Sequence, residues 1–283
     1  MLDLTGLGDL HTMRRAGEIA RSGRKHDLAI VIGCDDIGSA LAHSLHRAGL
    51  RVVLADAADP PWPHRGRTFT NAWYIGTAEL EGEIACFCAS VRSVPSVLRQ
   101  GLIAATTWSW MGLSDVLDPA VIVDARMRGS QATARLFGRA PMTVAIGQRL
   151  MAGVDADLVL EPPDDATRAR SVEPVRENGH TTVYCDAAGR FMTTHRIGHR
   201  VEAGDVVGHI GLCPVVAPRP GVLSGLSARG ARVALGQKIV EVDSRGDPAL
   251  CFGIEERSRL IAADVVTAVA ARPPANCAAE INR

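Results

Sequence analysis

Lysine is nearly absent from this chain: only Lys25 and Lys238 occur. No glycine loop ends in Lys, so the phosphate cradle that needs one is missing, as is any Gly-x-Ser-x-Gly nucleophile turn. No Ser-His-Asp arrangement is visible, and no catalytic residue is assigned. Cysteine occurs at Cys34, Cys86, Cys88, Cys185, Cys213, Cys251 and Cys277, an odd number with no Cys-x-x-Cys spacing. That argues against a disulfide framework or a structural zinc site and sets a reducing cytoplasm as the expected compartment. Cys86 and Cys88 alternate onto one face of a strand, which suits a core better than a ligand set. No apolar run approaches the ~20 residues of a membrane span. The N-terminal stretch carries Asp3, Asp9 and Glu18 without an apolar signal core. Charges cancel, with 31 basic and 31 acidic residues. No global pull toward nucleic acid or an anionic membrane follows, and neither is an expected partner.

What the chain does have is a repeat. Gly189, Phe191, Gly198, Val201, Gly204, Val207 and Ile210 recur, at one constant separation, as Gly221, Leu223, Gly230, Val233, Gly236, Ile239 and Val242. Glycines between short alternating apolar segments suit strands that turn where φ is positive. One half cannot bury its apolar face alone, but two can. The pattern resembles a biotinyl/lipoyl-type domain built from two similar halves. Carrier domains of that type hold a Lys where the halves join. Here the junction is Gly211-Leu212-Cys213-Pro214-Val215, and Lys238 falls inside the second half. Covalent biotin or lipoate is therefore not expected, and the module reads as a packing or docking unit.

The first half of the chain reads differently. Leu28–Ile32 is a continuous apolar run, as a buried parallel strand requires. Ile37, Leu41, Leu45 and Ala48 share a helical face that Gly49 closes. Arg51–Ala55 is a second strand, completing a Rossmann-type opening. Residues 65–83 read as a loop-rich excursion. Strands over 84–89, 102–107, 120–124, 143–146 and 157–160, and a helix over 95–100, continue the sheet. The expected class is α/β, a Rossmann-like open parallel sheet followed by a lipoyl/biotinyl-like β barrel-sandwich domain. The expected divisions are a helical extension over 1–26, the sheet domain over 27–165, the repeat domain over 166–254, and a helix with a tail over 255–283.

The glycine loop is Gly33-Cys34-Asp35-Asp36-Ile37-Gly38. A dinucleotide turn reads Gly-x-Gly-x-x-Gly: one glycine turns, the second lets pyrophosphate approach, the third lets helix pack on strand. Asp35 replaces the middle glycine and places bulk and negative charge where phosphate would sit. Asp56 stands where an acid meets ribose hydroxyls, so half of the fingerprint survives. Asp124 and Arg126 end another strand, where ligands bind in open parallel sheets. Arg126 could fork onto a phosphate or carboxylate, or the two could simply pair and satisfy a loop. Gly147 ends the next strand. The spacing of His43 and His46 permits a metal but nothing completes the set, so they read as packing residues, and no metal site is assigned. A helix N-terminus beside Cys34 would lower its pKa, whereas burial would raise it.

Taken in order, several stretches resemble the selenium-dependent molybdenum hydroxylase accessory (maturation) family, related in role to xanthine dehydrogenase accessory factors. They are 37–55 with its Ala42-His43-Ser44-Leu45-His46-Arg47-Ala48-Gly49 core, 69–83, 121–127, Ala152-Gly153-Val154-Asp155, 216–226, and Val242-Asp243-Ser244-Arg245-Gly246-Asp247 leading to Cys251-Phe252. The resemblance implies a non-catalytic protein that binds molybdopterin or a nucleotide-like ligand and works on a molybdenum hydroxylase or other large enzyme subunit. Homo-oligomerisation stays open. It implies a cofactor-binding set of Gly33, Asp36, Gly38, Asp56, Arg65, Asp124, Arg126 and Gly147. Departures from the family pattern are Asp35 in the turn, Gln148-Arg149-Leu150 after Gly147, and His64 in place of the first of two loop arginines. A family Arg-Gly-His segment is also missing near 164–170. Two rival readings remain: a scaffolding subunit with a degenerate pocket, and an NAD(P)-dependent oxidoreductase.

Overall fold

The structure, a computed structural model, describes residues 27–127, 135–161, 176–177 and 179–271. The helical extension expected over 1–26, the domain boundary expected at 165/166 and the tail from 272 lie outside the described residues. The chain is α/β. Strands β1 (Leu28–Ile32), β2 (Arg51–Ala55), β3 (Thr77–Leu80), β4 (Glu83–Phe87), β5 (Ile103–Thr106), β6 (Val121–Asp124), β7 (Met142–Ile146) and β8 (Leu158–Leu160) form one sheet of order β3-β4-β5-β2-β1-β6-β7-β8. Helix α1 (Asp36–Arg47) links β1 to β2; α2 (Asn71–Ile75), α3 (Val94–Arg99) and α4 (Trp110–Leu117) follow.

The sheet is not wholly parallel, contrary to expectation. β3 runs antiparallel to β4, because their link is only Glu81-Gly82. Both residues have positive φ, 45° and 84°, the geometry of a two-residue hairpin turn. The excursion over 65–83 thus ends in a helix and an edge strand. Sequence reading also missed α4, whose N-cap Ser109 accepts from the Gly112 N–H at 3.2 Å.

Both faces of the large sheet are covered, which is why β1 has no polar residue. Ala29 and Val31 pack with Leu41 and Leu45 of α1 and with Ala262 and Val265 of the last helix, α5 (Glu256–Ala270). Leu28, Ile30 and Ile32 pack on the other side with Val97 and Leu98 of α3 and Leu113 of α4. Truncating a fully buried Leu such as Leu41 to Ala would cost about 2–5 kcal/mol. Helix α5 therefore returns to the large sheet. It is pinned there by Glu81, which accepts from the Ile254 N–H at 2.8 Å and from Arg259 Nη2 at 2.7 Å.

The remaining strands are β9 (Arg176–Glu177), β10 (His180–Tyr184), β11 (Gly189–Met192), β12 (Arg200–Val201), β13 (Val206–Ile210), β14 (Cys213–Val216), β15 (Gly221–Leu226), β16 (Arg232–Val233) and β17 (Lys238–Asp243). They form two antiparallel sheets, β12-β15-β17-β10-β9 and β14-β13-β11-β16. The repeat residues Phe191, Val201, Val207, Ile210, Leu223, Val233, Ile239 and Val242 share one apolar cluster between these sheets.

Candidate functional site

The glycine turn sits at the carboxyl end of β1. Gly33 takes φ 101° and donates its N–H to the Ala55 carbonyl at 2.8 Å, which ties the turn to β2. Asp35 then caps α1, its Oδ1 accepting from the Gly38 N–H at 2.8 Å. A dinucleotide phosphate would use that amide; here the chain supplies its own carboxylate. Asp35 is buried, and burial, reinforced by Asp36 and Asp56 against the Gly38 hydrogen bond, raises its pKa from 3.8 to about 7. The stability tied to Asp35 is fully present below its unfolded value of 3.8 and is lost as pH rises through about 7. Asp35→Asn keeps a capping oxygen without the charge. It is expected to stabilise the protein by on the order of 2 kcal/mol at pH 8 and hardly at all at pH 4, read by urea unfolding at the two values.

Asp56, just past β2, is fully engaged. Its Oδ2 accepts from the Cys34 N–H at 2.8 Å and from the Trp62 indole at 3.0 Å, and its Oδ1 accepts from the Ala57 N–H at 2.7 Å. Asp56 thereby braces the glycine turn. Cys34 is buried, with Sγ 3.7 Å from Thr70 Oγ1. Burial, then the Asp56 charge, pushes its thiol well above the usual range, so the helix N-terminus does not activate it.

Asp124, at the end of β6, accepts from Arg126 Nε at 2.8 Å and Nη2 at 2.6 Å. The fork raises the Arg126 pKa further. The Arg126 stem lies over Gly33, where a Cβ would come within 3.1 Å of Arg126 Cγ. Gly147, one strand further out, gives its N–H to the Leu160 carbonyl at 3.0 Å. The carboxyl ends of β1, β2 and β6 therefore gather Gly33, Asp35, Asp56, Asp124 and Arg126, with Gly147 at the flank.

Arg65 and Asp36 are both engaged within the protein. Arg65 Nε donates to the Leu226 carbonyl at 2.7 Å and Nη1 to Asn71 Oδ1 at 2.7 Å. Arg67 Nη2 donates to the Leu250 carbonyl at 2.6 Å. Residues 63–67 thus form a strap from the large sheet onto the smaller ones. Within it, His64 Nδ1 lies 2.9 Å from Asp36 Oδ2, and Nε2 lies 3.2 Å from Glu241 Oε1. Glu241 also pairs with Lys238 and His180 and accepts from Ser224 Oγ at 2.9 Å. Next along β17, Asp243 is held by a forked Arg245.

Burial alone would lower the His64 pKa, but Asp36 and Glu241 raise it to about 9. Glu241 and Asp36, which burial would raise, are instead held below their usual range, Glu241 by its histidines and Lys238, Asp36 by His64, Arg67 and Lys238. Sequence reasoning missed this cluster. Glu241 and Asp243 alternate with Val240 and Val242, which in a sequence reads as a solvent-facing edge, yet both acids are buried. His46, on α1, pairs with Glu83. Among the described residues, no group of three or more His, Cys, Asp or Glu side chains could hold a metal ion. No helix among them is long and apolar enough to cross a membrane.

No family model matches the sequence. The chain is 28% identical over 257 residues to the Uncharacterized protein YqeB of Escherichia coli (strain K12). That match takes in 86% of this chain and 47% of the other, so the chain spans about half the length of this curated relative. Among solved structures it is similar to the Ectoine utilization protein EutE (DoeB) from Ruegeria pomeroyi, with TM-score 0.20 and 14% identity over 76% of this chain and 52% of that one. It is also similar to a succinylglutamatedesuccinylase/aspartoacylase from Rhodobacter sphaeroides, with TM-score 0.21 and 15% identity over 71% of this chain and 62% of that one. Likenesses at these scores say nothing about activity.

Proposed function

We propose that the chain is a non-catalytic accessory protein for a molybdenum-dependent hydroxylase or dehydrogenase, holding a pterin- or nucleotide-like anionic ligand at the carboxyl ends of β1, β2 and β6. In this reading the large sheet is Rossmann-like, with β5-β2-β1-β6-β7 as its parallel centre, and the two small sheets are a lipoyl-like barrel-sandwich without a carrier lysine. The molybdenum assignment rests on the ordered sequence resemblance. The binding role rests on one observation: the α1 N-terminus is already capped by Asp35 and Asp56 already takes three donors. A diphosphate would have to displace both, whereas a ligand on the Arg126 side would not. Asp124 takes two of the five guanidinium donors of Arg126, which leaves others for an anion. The ligand would be clasped and shielded, with no activated thiol beside it.

Titration with molybdopterin tests this. Saturable binding is expected, weakened about tenfold by Arg126→Ala, the loss of one charge-assisted contact. Absence of saturable binding, with no molybdenum enzyme subunit retained by the purified protein, sinks the proposal. The cross-linked strap favours a second reading, a scaffolding subunit with a degenerate pocket. An empty strand-end cleft together with a stably retained enzyme subunit would select it. Hydride exchange with NAD(P)H would select the oxidoreductase instead.

A further inference from the structure

The two halves of the smaller β region repeat residue by residue at the separation seen in the sequence: β11 matches β15, β12 matches β16 and β13 matches β17. Their hydrogen bonds repeat as well. Phe191 N–H donates to the Ala231 carbonyl at 2.9 Å, and Leu223 N–H to the His199 carbonyl at 2.9 Å. Gly236 N–H reaches the Cys185 carbonyl at 2.7 Å, and Gly204 N–H the Ala217 carbonyl at 2.8 Å.

The symmetry breaks at the strap. In the second half, Leu226 donates its N–H to the Pro63 carbonyl at 2.8 Å and its carbonyl accepts from Arg65 Nε. The His64 ring lies on Gly225, where a Cβ would stand 3.0 Å from His64 Cδ2, and points at Glu241. In the first half the residue matching Leu226 is Thr194. It is exposed, and its backbone has no hydrogen-bond partner among the described residues. A cavity of about 240 Å³ stands where the strap would be, lined by Thr193, Thr194, His195, His209 and Arg229 among others.

The charge of this vacant place is inverted. His209 matches Glu241 and His195 matches Ser227, while Arg229 adds a cation at the rim. The His195 Nδ1 is buried without a hydrogen-bond partner among the described residues. Met192 and Val206 border the cavity and are 41% and 45% exposed. Where Glu241 receives a cationic side chain, this place offers basic ones, with apolar surface beside them.

We propose that this cavity docks an extended acidic segment of a partner protein, seated on the first half as the strap 63–67 sits on the second. The segment's backbone pairs with the N–H and C=O of Thr194. Thr193, whose hydroxyl donates to the Val207 carbonyl at 2.6 Å, stands where the second half has Gly225, so a Glu or Asp side chain lies further out than His64 does and meets His195, His209 and Arg229. The proposal stands whether or not the strand ends carry a ligand.

The probe is a fluorescein-labelled synthetic peptide of the strap sequence 61–67 carrying His64→Glu, titrated against the full chain by anisotropy. Saturable binding is expected, at least tenfold tighter than that of the unchanged strap peptide. The double variant His209→Ala with Arg229→Ala should weaken it tenfold or more while leaving the thermal midpoint unchanged, because both side chains are exposed. Equal binding of the two peptides, or binding that ignores the double variant, overturns the proposal. So does a dimer in sedimentation that His209→Glu abolishes, which would make a second copy of this chain the occupant.

Discussion

Alanine at position 38 is expected to destabilise the protein by about 3 kcal/mol or more and to lower its thermal midpoint by roughly 6–12 °C. A Cβ at Gly38 would stand 1.9 Å from the Gly33 carbonyl oxygen and 2.7 Å from its carbon. Neither side can yield cheaply. Gly33 is fixed by its N–H bond to Ala55, and α1 is fixed by the Asp35 cap and by buried Leu41 and Leu45. Gly112→Ala is the matched control. It lies within α4, where a Cβ would meet only Ser109 Oγ at 3.4 Å, so helix propensity should make it neutral or stabilising by up to about 1 kcal/mol. Thermal unfolding followed by circular dichroism reads both. Equal midpoints for Gly38→Ala and the parent protein would show that the helix does not press on the turn.

The second large effect belongs to His64. His64→Leu leaves Asp36 and Glu241 without the cation that sits between them, and the expected loss at pH 6 is about 2–4 kcal/mol. The pH profile carries a sharper signature. The folded His64 pKa is raised to about 9, so its contribution is fully present below the ordinary value of 6.5 and is lost as pH rises through about 9. Asp36 and Glu241 are depressed, so their contributions are present above the ordinary values of 3.8 and 4.5 and are lost as pH falls through their folded values. Urea unfolding between pH 8 and 9.5 separates His64 from Asp35, whose own loss is mostly complete by then. The parent should lose more stability than His64→Leu across that window, while the buried thiols lower both alike. Parallel profiles would mean that His64 carries no charge in the folded protein.

Both effects depend on details that differ in how far the sequence exposes them. The Gly38 requirement was legible, since the third glycine of the loop stands at a fixed offset from the first and the close approach follows from strand–turn–helix geometry. That Asp35 sets a bulky acid at the start of α1 was legible from the loop sequence; that its carboxylate caps α1 depends on its φ of −69° and ψ of −170°. The pairing of Asp124 with Arg126 was legible as one of two alternatives, because the residues are neighbours in sequence. The position of Arg65 was not. Its loop gives no periodicity, and its partners Leu226 and Asn71 belong to different parts of the chain.

From the sequence alone came the order of strands and helices around β1 and β2 and the two-fold repeat of the smaller sheets. Hydrophobic periodicity and glycine placement act within a few residues, so the sequence expresses them directly. Which acids would be buried, and what would neutralise them, was decided only when the strap crossed to β15. A carboxylate that stays charged away from water needs a cation or several donors facing it, and Asp36, His64 and Glu241 are brought within hydrogen-bonding distance by sheet stacking that no local pattern encodes.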